Sequence, residues 1–217
     1  MVWSLCQLSI ASFWVLDSTY TRAIHLGFAM FIVFLTYPVL KKSRFGLKFL
    51  SATDRIPVFD FIMATVAGLA ALYIAIDYTG ITQRYGAPNT REIVMGLVLT
   101  VLLLEAARRV IGPALPVIAG LFIFYAFMGP YMPDLIAFKG VSMNRFVGQM
   151  TMSTEGIYGI PLDVSATIVF LFVLFGAMLD KAGAGHYFIQ LALSLLGGFK
   201  GGPAKAAIMG SGLTGMV

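Results

Sequence analysis

Residues 157–179 read IYGIPLDVSATIVFLFVLFGAML, 23 residues with one ionisable group, Asp163, near the start. At 1.5 Å per residue, a helix of that length crosses a hydrocarbon core of roughly 30 Å. Backbone N–H and C=O groups find no partners in lipid, so the run must satisfy them internally, as a helix does. Four further runs, at about 22–40, 57–77, 92–111 and 113–131, are long enough or nearly so. The sequence therefore predicts an all-α, polytopic membrane helix bundle. Its count is five transmembrane helices, or six if residues 2–16 (VWSLCQLSIASFWVL) also cross instead of lying in the interface.

Composition agrees. Apolar residues make up 59% of the 217-residue chain and charged residues 12%, against about a quarter charged in soluble domains. Mean hydropathy is +0.89. The net charge of +5 comes from Lys and Arg set between apolar runs, which points to membrane topology and not to nucleic acid. Cys6 is the single cysteine, so no intrachain disulfide forms. No Lys or Arg precedes Arg22, so the basic region that opens a signal peptide is missing.

Boundary residues punctuate the runs. Pro38 precedes the basic stretch after the first. Pro57 opens the second, where its missing N–H costs nothing. Gly112-Pro113 separates the third from the fourth and forces a tight reversal. Gly129, Pro130 and Pro133 end the fourth. Pro161 either kinks or starts the fifth. Segment 41–56 carries Lys41, Lys42, Arg44, Lys48 and Arg55, and alternation puts Arg108, Arg109, Lys181, Lys200 and Lys205 on the same side. The other side receives Arg22, Arg84, Arg91, Lys139 and Arg145. Ten against five makes the first side cytoplasmic, with the N-terminus on that side too if 2–16 spans. Residues 132–156 then form a long outward loop. Residues 186–197 (HYFIQLALSLLG) are too short to cross and read as an interfacial or re-entrant helix.

From Gly197 the sequence becomes GGFKGGPAKAAIMGSGLTGMV. Small residues permit either close helix packing or a helix break of the kind that exposes backbone groups to an ion or substrate. Composition leaves both readings open. The pattern is still running at Val217, which predicts the front part of a longer protein.

Three stretches together resemble a known family. They are LLLEAARRVIGPALPVIAGLFIFYAFMGPYMP (102–133), TEGIYGIPLDVSATIVFLFVLFGAMLDKAG (154–183), and FGAMLDKAGAGHYFIQLALSLLGG (175–198) running into KGGPAKAA (200–207). They resemble the fused membrane permease of tripartite ATP-independent periplasmic (TRAP) transporters, in its TAXI-associated form. The resemblance covers nearly the whole chain from about residue 22. It implies a small four-helix-type domain over 1–110 and the beginning of the large transport and scaffold domain over 111–217, incomplete at the C-terminus. It implies an elevator-like import of a small organic acid, Na+ as coupling ion, a periplasmic substrate-binding protein as partner, and the bacterial inner membrane as location. The family's Ser/Gly-rich hairpin is expected after Val217, so its ligand set cannot be carried over. Gly210, Ser211, Gly212, Thr214 and Gly215 remain as candidates that sit beside a substrate and ion site and position the hairpin.

Individual polar residues carry two readings each. Glu105 with Arg108 and Arg109 is a charge pair at i,i+3 and i,i+4, either a strut between domains or two arginines snorkelling at the interface. Asp163 is either an intramembrane functional carboxylate or a helix N-terminal cap; Asp60 and Asp77 read more strongly as boundary residues. His25 and His186 lack a partner at ligand spacing, so no metal site is expected. Lys181 and Lys205, which flank 186–197, contact lipid phosphate or the cytoplasmic end of the transport domain, or are ordinary cytoplasmic-side charge. No GxxxxGK[ST] occurs, so no nucleotide chemistry is expected. Ser211 lies in GSGLTG, which lacks the GxSxG order of a hydrolase, and no catalytic residue or cofactor is expected. The alternative function is an accessory or truncated membrane subunit that binds partners without transporting. A frame continuing past codon 217 into further spans separates the two.

Overall fold

The computed structural model describes residues 1–14, 16–39, 57–84 and 86–215, with backbone only from 213 onward. The basic stretch Lys41–Arg55 lies outside the described residues. Every regular element among the described residues is helical: α1 (Val2–Ser12), α2 (Ser18–Thr36), α3 (Val58–Ile76), α4 (Tyr78–Gln83), α5 (Thr90–Val110), α6 (Ala114–Met128), α7 (Met143–Thr151), α8 (Ile160–Val164), α9 (Phe170–Lys181), α10 (Ala184–Leu196) and α11 (Gly202–Gly215). A short 3-10 turn follows α6, and a π-helical stretch, Ser165–Val169, follows α8.

Among the described residues, four helical runs are long and apolar enough to cross a membrane: Ser18–Thr36, Val58–Ile76, Ala114–Tyr131 and Ile160–Lys181. The expected third span is present as α5, whose 21 residues reach about 32 Å. It is not among those four, because it carries five charged residues: Arg91 and Glu92 in its first turn and Glu105, Arg108 and Arg109 in its last two. Residues 2–16 contribute only the 11-residue α1. At about 16 Å it is half a span, so a sixth crossing is not supported: the helix unwinds at Phe13, well before Asp17 caps α2.

Compactness divides the chain into residues 1–166 and 167–217. In the first unit, α2 and α3 form the most extensive helix pair. The reason is a small-residue stripe. Ala64, Ala67 and Ala71 are fully buried, and a Cβ on Gly27 would lie 3.1 Å from Leu72 Cγ. In a bilayer, close backbone approach and dispersion contacts substitute for the hydrophobic drive. The local ends follow the sequence. Pro57 is the N-cap of α3, and Asp17 accepts from Thr19 N at the start of α2. Gly112 turns the chain at φ 105° between α5 and α6.

The outward loop is not plain loop. It contains α7, capped by Ser142 and buried through Phe146, Val147 and Thr151. Its dock is Gly96 on α5, where a Cβ would meet Thr151 Oγ1 and Val147 Cγ1, the latter at 2.6 Å. By contrast α6 buries none of its residues in the chain. Leu121, Phe122 and Phe124 lie more than half exposed, which suits a helix solvated by lipid.

In the second unit, α10 and α11 pack along each other as a helical hairpin. The turn between them is 197–201, with Gly201 at φ 74°. At 13 and 14 residues, each arm is about 20 Å long, well short of a crossing.

Candidate functional site

Helices α3 and α5 are joined at both ends by the same device, one arginine between two carboxylates. At the end where α3 begins and α5 ends, the arginine is Arg109. Its Nη1 donates to Asp60 Oδ1 at 2.8 Å and to the Tyr37 carbonyl at 2.9 Å; its Nε donates to Glu105 Oε1 at 2.8 Å. The guanidinium carbon lies 4.5 Å from the centroid of the Phe34 ring, a cation–π contact. Arg109 and Asp60 are only 2% and 1% exposed. A buried charge is tolerated when paired and fully hydrogen-bonded, and this node meets that condition. It ties together α3, α5 and the chain leaving α2.

Arg108, one residue earlier, is 44% exposed. Among the described residues it pairs with Glu105 alone, through two hydrogen bonds of 2.8 Å. The charge trio read from sequence thus divides: Arg109 turns inward as a strut and Arg108 stays at the surface. Asp60, read as a boundary residue, is the inward partner. The sequence held one signal for it, since alternation of spans puts the start of α3 and the end of α5 on one side.

At the other end, Arg84 lies between Asp77 and Glu92. Its Nη2 donates to Asp77 Oδ2 at 3.0 Å and to Glu92 Oε1 at 2.6 Å. The hydrogen bond to Glu92 raises the Arg84 pKa above its ordinary value; desolvation works against that rise. Arg84 and Asp77 are 41% and 40% exposed. Glu92 is buried and also closes the capping box that starts α5, accepting from Asn89 N at 2.8 Å.

Beside Arg84 opens a cleft of about 570 Å³ between the 81–92 segment and α7. Arg145, Asn144 and Gln149 line it, together with Glu92.

A third polar group surrounds the start of the last long helical run. Asp163 Oδ1 accepts from Arg22 Nε at 2.9 Å and from Ser18 Oγ at 2.8 Å. Arg22 also donates to the Tyr158 carbonyl at 2.7 Å. Asp163 sits in the first turn of α8, a cap-like position, yet its partners come from another helix. His25 Nε2 lies 3.3 Å from Ser165 Oγ, and its ring contacts Trp3. Gln7 Nε2 donates to the Ala166 carbonyl in the π-helical stretch, where the regular helix ladder is interrupted.

The glycine-rich candidates lie in α11. Gly210 is buried against Ile189 of α10, with a Cβ there meeting Ile189 Cγ1 at 3.3 Å. Ser211 and Gly212 are exposed, and Ser211 Oγ donates to the Ile208 carbonyl at 2.9 Å. Thr214 and Gly215 continue the same helix. The helix break therefore falls at 197–201, not within GSGLTG. Lys181 and Lys205 are exposed, and His186 pairs with Gln190 at 2.8 Å.

The family model for the DctM component of the tripartite ATP-independent periplasmic transporters matches residues 98–217. That is 120 of the 217 residues. The chain belongs to this family. Neither a curated protein nor a solved structure matches it. A DctM component is part of a transporter and not an enzyme, and the apolar helices make this one a multi-pass membrane protein. The DctM match begins inside α5. It takes in Glu105, Arg108, Arg109, α7 and the α10–α11 hairpin; Asp60, Arg84 and Arg22 precede it.

Proposed function

We propose that this DctM-family chain is the permease part of a secondary transporter that imports a small organic acid with Na+, fed by a periplasmic binding protein in the bacterial inner membrane. The observation that carries the reading is the family match across α6, the last long span and the hairpin. Residues 1–110 serve as the small membrane domain, and 111–217 open the large one. The excess of Lys and Arg puts the Arg109 end at the cytoplasm and the Arg84 end outside. The α10–α11 hairpin, too short to cross, enters and returns from the cytoplasmic side, with Gly210 to Gly215 beside the cargo path.

Two measurements test this. Right-side-out vesicles from the cells that make the protein, supplied with a periplasmic extract of the same cells, accumulate organic acid when an inward Na+ gradient is imposed without ATP, and lose that uptake when the gene is deleted. Uptake that persists without Na+ and requires ATP overturns the reading. For orientation, a cysteine at Asn144 labels with a membrane-impermeant thiol reagent in intact cells. Protection until lysis reverses the topology.

A further inference from the structure

The last long helical run, Ile160–Lys181, changes its surroundings at the π-helical stretch Ser165–Val169. Up to Ala166 it is tied to α1 and α2 by polar contacts. Asp163 accepts from Arg22 and Ser18, Ser165 Oγ lies 3.3 Å from His25 Nε2, and the Ala166 carbonyl accepts from Gln7 Nε2. Ala166 itself is buried. After the stretch, α9 buries none of its residues and packs along α10. Compactness divides the chain at the same place, between Ala166 and Thr167.

On α1 the usual order of burial is inverted. Gln7 is the one buried residue of that helix among the described residues, while Leu5 and Leu8 are exposed. The amide oxygen of Gln7 is shielded and accepts no hydrogen bond among the described residues. Burying an amide for a single bond is a net cost in an apolar medium, so the stability of α1 does not explain the placement. The bond itself explains it. Gln7 reaches a carbonyl in a π-turn, where the ladder that keeps a helix straight is interrupted.

We propose that Ser165–Val169 is a hinge within the last span and that Gln7 is its latch. The part before the hinge stays docked on α1 and α2, and α9 swings about it. Sharp helix kinks fall at π-bulges, and hinges are a few residues that absorb a change in φ and ψ. Arg22 and Asp163 hold the first turns still, and α9 has no buried side chain to unpack. The hinge requires neither cargo nor ion, so its failure leaves the transport reading untouched.

The test uses the full chain in lipid nanodiscs, with Cys6→Ser and spin labels on paired cysteines. Val101→Cys on α5 is the common reference. It is paired with Ile160→Cys before the stretch or Met178→Cys after it; all three side chains are more than half exposed. Met178 lies nine residues past Val169, about 14 Å along the helix, so a kink of about 20° moves it roughly 5 Å. The expected distance distribution from Val101 to Met178 is broader than that from Val101 to Ile160 by about that amount. Gln7→Met removes the donor at nearly constant volume. It widens the Met178 distribution further and leaves the Ile160 distribution unchanged. Ser165→Ala, which loses only a hydroxyl, acts in the same direction to a smaller extent. Equal widths in the parent overturn the hinge, whether or not either variant folds. A Gln7→Met chain with both distributions unchanged overturns the latch. One that widens both equally shows loosening of the docked part, and overturns the hinge as well.

Discussion

The two ends of the α3–α5 pair use one motif in two solvents. Arg109 lies between Asp60 and Glu105, and Arg84 between Asp77 and Glu92. Arg109 and Asp60 are removed from solvent almost completely, whereas Arg84 and Asp77 keep about two-fifths of their side-chain surface. In a dry setting the pair is an obligation, because stranding either charge leaves it unsolvated. In a wet setting water takes over a lost partner, and the pair contributes little. The same arrangement thus makes a structural lock at one end and, around the buried Glu92, a largely solvated arginine and aspartate beside a cleft at the other.

Breaking the dry end has the largest expected effect. Asp60→Asn leaves Arg109 buried without its inward carboxylate and lowers stability by about 3–5 kcal/mol. Unfolding midpoints in detergent check this. The double variant Asp60→Asn with Arg109→Gln recovers more than half of the loss, since no uncompensated charge remains. Equal destabilisation by the double variant would show that the node acts through packing and not charge.

The next effect lies midway along α5. Gly96→Ala drives a methyl into Thr151 and Val147. Overpacking costs about 1–3 kcal/mol, against about 1 kcal/mol regained in helix propensity. The sharper readout is labelling at Asn144→Cys, which accelerates as α7 is pushed off α5. An unchanged labelling rate would mean that α7 is not held by this contact.

At the wet end the expected losses shrink. Glu92→Ala removes half of the α5 capping box and costs about 1 kcal/mol, read as a small drop in midpoint. Asp77→Asn leaves the midpoint within measurement scatter at ordinary salt. Raising NaCl to 0.5 M moves neither the Asp60 nor the Asp77 variant toward the parent; in the parent it weakens only the exposed end. A large loss from Asp77→Asn would erase the contrast between the ends.

Much of the architecture was legible in the residues alone. Apolar length marked out the spans, and Pro57, Gly112-Pro113 and Pro161 stand at helix starts or turns, as their backbone chemistry requires. Residues 2–16 misled because their apolar character runs past the point where the helix stops at Ser12. Helix α7 escaped notice because nine residues of mixed polarity carry too few turns for a periodic signal. Of the candidate site, Glu105 and its two arginines could be paired by helical spacing, but their separate fates could not.

What the sequence determined by itself is what depends on local chemistry: helix length, breaks, caps, and a bilayer as the main solvent. Only tertiary structure decided which polar groups meet. Asp60 and Arg109 are 49 positions apart, and Gly96 is far along the chain from the Thr151 it admits. Such meetings depend on how each helix is rotated about its axis. Rotation is set by the fit of small residues such as Ala67 and Gly27 against neighbouring helices, and no single helix carries that information.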